Sequence, residues 1–218
     1  HWSAEWGRCL ALPIIYNDER ELDACEARWA EGLDHLLEEV SSGRVKDADQ
    51  ALALLSWKTN FYLHYQGRDH TQLQKRYGQL LTALAQVACP ELCRPIPRRD
   101  FTSARPMRVA FVGSHLRRQT ITKLFGGWIT ELDRSKFEVH AVNLSAHVET
   151  GSDDLKAACH YHDLGAMPPR RLIEAMAGCG FDVIIHLDVG MHFRTQATAA
   201  FRLAPTQCCS SPLYWTRH

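Results

Sequence analysis

An alternation of apolar runs and amphipathic segments after residue 106 limits the possible folds more than any other pattern in the sequence. Residues 107–112 (MRVAFV) form a short run rich in β-branched and aromatic side chains, which is typical of a buried strand. Gly113 interrupts this run, a polar loop follows at 114–119, and a helical pattern begins at Ile121. Strand, loop and helix predict the opening of a βαβ unit, so this loop should lie at the sheet edge where ligands bind in open α/β proteins.

The rest of this half of the chain continues the alternation. Its periodicity predicts strands at 137–144, 161–164 and 181–187, and helices at 121–132, 153–159, 169–179 and 194–203. Strands that alternate with helices favour a parallel, doubly wound sheet that is buried on both faces.

The first hundred residues carry helical periodicity. Asp18 and Glu21 form a capping pair for a first predicted helix that ends near residues 41–43. A second helix is expected over 45–57, whereas residues 60–67 (NFYLHYQG) fit either helix or strand.

A third helix is expected to begin with a capping box made of Thr71 and Gln74. Prolines 90, 95 and 97 cannot continue that helix, so they form a stiff connector. We therefore divide the chain into a helical linker region, 1–104, and an α/β lobe, 105–218.

The composition excludes several classes of protein. The chain has 25 Lys and Arg against 25 Asp and Glu, so no basic surplus points to nucleic acid. No run approaches the roughly 18 consecutive apolar residues of a membrane span. Eight cysteines are scattered without a disulfide framework, which favours a reduced cytoplasmic interior. We expect a cytoplasmic protein without nucleic-acid or membrane partners.

The loop after the first strand is one candidate site. It carries Ser114, His115 and Arg118 just before a helix, and Lys123 follows within that helix. Helix N-termini favour anions, and cationic side chains add charge-assisted hydrogen bonds to phosphate. Gly113 stands alone, however, without the glycine fingerprint of dinucleotide-binding proteins. A ligand-facing loop and an ordinary solvated loop therefore remain equally open from pattern alone.

The loop after the strand at 181–187 is a second candidate site. Asp188, Gly190, Met191 and His192 follow that strand and should reach the same sheet edge. A carboxylate and a nearby histidine can perform acid–base chemistry. An Asp and Gly pair is also typical of a strand-ending turn, which we weigh about twice as heavily before any family argument.

The sequence offers little support for a bound metal. Cys89 and Cys93 have no second ligand pair at a zinc-like spacing. His160 and His162 fall on one side of a predicted strand with nothing to complete a site. We expect no metal cofactor.

Four segments, in order, resemble one family: RVAFVGSHLRRQTITKLF, DRSKFEVHAV, FDVIIHLDVGM and FRLAPTQC. They are similar to the amino-terminal catalytic lobe of bacterial O-GlcNAc transferase-like (SPINDLY-type) glycosyltransferases, which are commonly joined to tetratricopeptide repeats. The helical segment NFYLHYQGRDHTQLQKRYG resembles the linker that precedes this lobe. The resemblance extends from about Leu12 to Cys208.

This resemblance implies a two-lobed GT-B enzyme for protein glycosylation. Such an enzyme transfers N-acetylglucosamine from UDP-GlcNAc to Ser or Thr of proteins, with inversion and without a metal. The first, Rossmann-like lobe contributes much of the acceptor side, and the second holds most of the UDP. The sequence begins with His1 and ends near the expected end of the first lobe, so we expect a fragment that has no turnover by itself.

The resemblance also suggests which residues line the cleft. His115 and Asp188 are the candidates for proton handling. The remaining candidates for substrate binding are Ser114, Arg118, Gln119 and Lys123 after the first strand, and Gly190 and Met191 after the fourth.

Two departures from the family affect this interpretation. Related members have His where this chain has Gln119, and the amide cannot accept a proton at neutral pH. The acceptor proton would then pass to His115, Asp188 or a donor phosphate oxygen. The alternative is a non-catalytic lobe that binds proteins or peptides and has lost its active-site His. After Cys208 the expected Trp-Gly-His-Pro stretch is replaced by CSSPLYWTRH, which suggests a truncation or altered reading frame near Cys209.

Overall fold

The computed structural model describes residues 2–98, 100, 105–116, 120–146 and 153–210. The first part is helical, with α1 (Trp2–Leu10), α2 (Glu19–Ser41), α3 (Ala48–Leu55), α4 (Thr71–Ala88) and two 3-10 helices, Phe61–Gln66 and Pro90–Cys93. Strands and helices then alternate as β1 (Met107–Gly113), α5 (Thr120–Thr130), β2 (Phe137–Asn143), α6 (Asp153–Ala158), β3 (His160–Asp163), α7 (Pro169–Gly178), β4 (Val183–His186), α8 (Phe193–Ala199) and β5 (Thr206–Cys209). The predicted α/β class is confirmed.

Helix α2 begins where its capping pair predicts. The Asp18 side chain accepts a hydrogen bond from the Glu21 backbone N–H at 2.8 Å, which satisfies one of the open donors of the first turn. Its apolar stripe, including Trp29, Leu33 and Leu36, is buried. The amphipathic pattern therefore fixes both the start and the inner face of this helix.

The start of α4 differs from the prediction, and the capping box of Thr71 and Gln74 is wrong. His70 occupies the N-cap position, and its side chain makes no capping hydrogen bond. The Thr71 backbone N–H instead donates to the Asp69 carboxylate at 2.9 Å. Gln74 is engaged elsewhere, because its amide oxygen accepts from Asn60 Nδ2 at 2.7 Å. The charged Asp69 carboxylate just outside the helix therefore takes the Thr71 backbone donor that the Gln74 side chain would accept in a capping box.

The five strands form one parallel sheet in the order β3-β2-β1-β4-β5. β1 lies at the centre and pairs with β2 from Met107↔Phe137 to Gly113↔Asn143. The sequence analysis missed β5, which spans only Thr206–Cys209 and is half exposed at the sheet edge. Helix α8 ends before the predicted limit, because the buried Phe201 and Leu203 belong to the turn before β5.

The hydrophobic core lies on both faces of the sheet. On one face a large cluster joins the sheet and α7 to the helical region, and it includes Val112, Leu172, Phe201, Leu55 and Leu84. The other face carries a smaller cluster beneath α5 and α6. The helical region and the sheet therefore share one continuous core.

Three histidines stack on each other beside this core. The His140 ring is 4.9 Å from the His160 ring and 5.2 Å from the His162 ring, measured between centroids. His140 Nδ1 lies 3.0 Å from His162 Nε2, and its Nε2 lies 3.0 Å from a Glu138 oxygen. Burial lowers the pKa of His140 to about 4, so this ring is neutral at pH 7.

Among the described helices, none combines the length and the hydropathy that a membrane span requires. The described ranges contain no disulfide bond. Cys9, Cys25 and Cys89 are buried, whereas Cys208 and Cys209 are exposed on β5.

Candidate functional site

The two candidate loops leave the sheet at adjacent points. From the central β1 the chain continues to β2 on one side, whereas β4 pairs with β1 on the other. The Leu187 backbone N–H still donates to the Val112 carbonyl at 2.9 Å, so both strands end at the same level. In open parallel sheets a crevice forms where the strand order reverses in this way, outside the carboxyl ends of the strands.

Asp188 is the centre of this site. Its side chain is fully buried, and one carboxylate oxygen, Oδ2, accepts a hydrogen bond from the Ser114 backbone N–H at 2.8 Å. The same oxygen lies 2.6 Å from Nδ1 of His115. A buried carboxylate requires such charge-assisted partners, because its charge is otherwise costly to remove from water. The acidic side chain after β4 therefore holds Ser114 and His115 at the start of the loop after β1.

Gly113 ends β1 directly against this carboxylate. A Cβ atom at Gly113 would lie 3.4 Å from Oδ1 of Asp188, which is ordinary van der Waals contact. The Asp188 side chain therefore packs against the end of β1.

His115 is the partly accessible member of the pair. Its side chain is 23% exposed, whereas that of Asp188 is 0% exposed. When Nδ1 carries the hydrogen that Asp188 accepts, the other ring nitrogen, Nε2, keeps a lone pair. This tautomer makes His115 a proton acceptor that is held in orientation by Asp188.

A second histidine lies beside His115. The His192 ring packs edge-on to the His115 ring with centroids 5.9 Å apart, and it stacks on Phe193 at 4.5 Å. His192 is also the N-cap of α8, where its Nδ1 accepts from the Arg194 backbone N–H at 3.3 Å. The start of α8 therefore forms one wall beside the Asp188 and His115 pair.

The Ser114 side chain is buried. It is 3% exposed, and its hydroxyl lies 3.1 Å from the hydroxyl of Thr195, which is fully buried on α8. The Ser114 side chain thus joins the loop after β1 to α8, while its backbone N–H holds Asp188.

The loop after β4 is a strand-ending turn and also part of the candidate site, so it agrees with both interpretations of the sequence. The Met191 backbone N–H donates to the Asp188 carbonyl at 3.1 Å, and Gly190 adopts a φ of 83°. That left-handed conformation is easily reached only by glycine. The segment is therefore a turn, and it presents Met191, which is 42% exposed, next to the buried carboxylate.

Among the described candidates, Lys123 is not part of this contact network. Lys123 is exposed near the start of α5. Arg118 and Gln119 lie outside the described residues. Within the described ranges, no group of three or more His, Cys, Asp or Glu side chains is arranged to hold a metal ion.

Sequence reasoning missed two polar residues on α8, Thr195 and Gln196. Both are buried, at 0% and 1% exposure. The available signal was the presence of Thr195 and Gln196 in a short predicted helix close to Ala197, Ala199 and Phe201.

Comparison with known proteins identifies the fold. No family model matches the chain, and no curated protein matches its sequence. A solved structure of a mutant O-GlcNAc transferase from Thermobaculum terrenum is similar over 87% of this chain, with a TM-score of 0.51 and 17% sequence identity. The fold is that of a Rossmann-like GT-B lobe.

This lobe is only a part of the similar enzyme. The match covers 40% of the Thermobaculum terrenum chain. At 17% identity the likeness shows the fold alone.

Proposed function

We propose that the protein containing this chain is an inverting glycosyltransferase that moves N-acetylglucosamine from UDP-GlcNAc to Ser or Thr of an acceptor protein. The present chain supplies the acceptor-side lobe. The observation that carries this proposal is the His115 and Asp188 pair, which lies at the strand-order reversal of a GT-B lobe. The fold similarity to an O-GlcNAc transferase supports the proposed reaction class.

His115 is the proposed general base. The acceptor hydroxyl attacks the anomeric carbon, and its proton passes to Nε2 of His115 while the new C–O bond forms. The bond from the sugar to the UDP phosphate breaks at the same time, and UDP leaves with the bonding electrons. Asp188 holds the ring in the required tautomer and stabilises the imidazolium that results.

A general base at His115 is compatible with an amide, instead of an imidazole, at position 119. An amide at that position cannot take the proton, so the base must be a neighbouring group. Gln119 and Ser114 are then substrate-positioning groups, together with Gly190 and Met191 of the turn after β4.

The donor is proposed to lie between this lobe and a second one. A further lobe binds most of the UDP, and Arg118 and Lys123 add positive charge on this side of the cleft. Cationic side chains can stabilise the departing diphosphate by charge-assisted hydrogen bonds, so no metal is part of the proposed reaction. The isolated chain is expected to have no turnover because half of the donor site lies elsewhere.

The test is transfer from UDP-GlcNAc to an acceptor peptide by the full-length protein. His115→Gln should lower kcat by about 10²- to 10⁴-fold, the usual contribution of a general base. Gln119→His should change transfer only modestly. His35→Gln is the matched control, because His35 is a partly exposed histidine on α2 that contacts Glu5. Full activity of His115→Gln would refute the assignment of the base.

One sequence observation favours a second candidate function. Gln119 stands where the related enzymes have His, so this lobe could instead bind proteins or peptides without catalysis. Peptide binding by the full-length protein, with no transfer by either the wild type or Gln119→His, would support that function. Transfer only by Gln119→His would identify a catalytic lobe that one residue has silenced.

A further inference from the structure

A buried polar contact joins the helical region to α8. The Gln196 side-chain amide donates from Nε2 to the Lys58 carbonyl at 3.1 Å and to the Tyr77 hydroxyl at 3.0 Å. Tyr77 in turn donates to the same Lys58 carbonyl at 3.3 Å. Three separate parts of the chain meet here: the segment after α3, the middle of α4, and α8.

This contact lies in the apolar core. Gln196 is 1% exposed and Tyr77 is 2% exposed, and burial raises the pKa of the Tyr77 hydroxyl, which remains protonated. Each of these groups would be costly to bury without its partner. A buried polar network is satisfied in one arrangement only, whereas apolar side chains tolerate small shifts. The three hydrogen bonds therefore fix the position of α8 against the helical region.

The residue next to Gln196 continues this connection to the site. Thr195 Oγ1 lies 3.1 Å from Ser114 Oγ, and the Ser114 backbone N–H holds Asp188. The first turn of α8 is involved as well, since the Gln196 backbone N–H donates to the His192 carbonyl at 3.1 Å. His192 packs edge-on to the His115 ring. A shift of α8 would therefore move Ser114, whose backbone holds Asp188, and His192, which packs against the ring of the proposed base.

We propose that Gln196 and Tyr77 are positioning residues for the His115 and Asp188 pair. The helical region, through these two side chains, sets the position of α8 and thereby the orientation of the imidazole. This inference rests on the proposed function for its catalytic consequence. Its structural part, that the contact in the helical region sets the geometry of His115, can be measured without turnover.

The catalytic test uses Gln196→Met and Tyr77→Phe in the full-length protein. Gln196→Met removes all contacts of the amide and should lower kcat about tenfold, with the KM for the acceptor peptide unchanged, because orientation of the base is lost and binding is retained. Tyr77→Phe keeps the Gln196 contact with Lys58, so a smaller loss of kcat is expected. The double variant should lose no more than Gln196→Met, since both changes disrupt one contact.

Gln74→Met is the matched control. Gln74 also joins two parts of the helical region by hydrogen bonds, to Asn60 at 2.7 Å and to His64 at 3.1 Å, and it does not contact α8 in these bonds. It should leave kcat and KM as in the wild type. An equal loss of kcat in Gln74→Met would mean that any weakening of the helical region has this effect, and would overturn the proposal.

A second readout separates this inference from the proposed function. Histidine-selective ¹⁵N NMR of the full-length protein reports the hydrogen bonding of Nδ1 in His115. Its Nδ1 resonance should move in Gln196→Met and Tyr77→Phe and stay in place in Gln74→Met. A moved resonance in a protein without transfer activity would refute the proposed function and leave the positioning role intact. An unmoved resonance in both variants would overturn the positioning role, and Tyr77→Phe decides the matter if Gln196→Met does not fold.

Discussion

Lowering the pH should destabilise the folded protein through His140. The size of the pKa shift of this ring sets the loss of folding free energy. The pKa of this ring falls from 6.5 to about 4, with burial as the largest cause. Glu138 opposes the shift, and the nearby His162, Arg108 and His160 add to it. Between these two pH values the unfolded chain binds a proton that the folded chain does not bind. Stability therefore rises with pH across this window and is lost as pH falls from 6.5 towards 4.

The magnitude follows from the size of the shift. The difference between 6.5 and about 4 corresponds to about 3 kcal/mol of folding free energy that is present above pH 6.5 and gone below pH 4. His140 is 2% exposed, so solvent does little to screen this effect. The pKa of His162 is also lowered by burial, which adds a contribution of the same sign.

The assay is urea unfolding of the wild type and of His140→Gln at several pH values from 4 to 7. Glutamine can still donate towards Glu138 and accept from His162, but it does not titrate in this range. The wild type should lose about 3 kcal/mol more than the variant between pH 6.5 and 4. His35→Gln, which removes a partly exposed histidine, should follow the wild type. Equal losses in the wild type and His140→Gln would refute the assignment.

Two core substitutions test the packing. Leu84→Ala should lower the free energy of unfolding by about 3 kcal/mol, because Leu84 is fully buried in the cluster shared by the helices and the sheet. Thermal unfolding followed by calorimetry measures this loss. Gly165→Ala should lower the free energy of unfolding by about 3 kcal/mol, since a Cβ at this position would overlap the Ser145 carbonyl oxygen. An unchanged urea midpoint would contradict the packing described.

The sequence predicted most of the fold because periodicity reports burial directly. The runs that became β1 and β2, and the amphipathic stripe of α2, were each long enough for their pattern to be unambiguous. β5 was missed because four residues, TQCC, carry too little pattern to separate a short edge strand from a loop. The wrong cap of α4 has a different cause, since Asp69 and the Gln74 side chain can both accept from the Thr71 backbone N–H, and Gln74 is taken by Asn60.

The sequence predicted where the candidate site lies, but it did not predict which side chains contact each other there. A parallel sheet brings the ends of its strands to one edge, so Ser114 and Asp188 could be expected at that edge. Their direct contact also requires β4 to be the neighbour of β1, which is a property of strand order that periodicity does not report. The contact between Gln196 and Tyr77 was not predicted, because the partner of a buried polar side chain lies far away in the sequence.

The continuous core limits where the chain can be divided without loss of stability. A cut in the proline-rich connector would leave apolar side chains of the sheet lobe, such as Leu172 and Phe201, without the helices that cover them. Exposed apolar patches of this kind promote aggregation. A fusion or exchange of segments should therefore use a junction outside this unit, so that the helical region and the sheet lobe stay together.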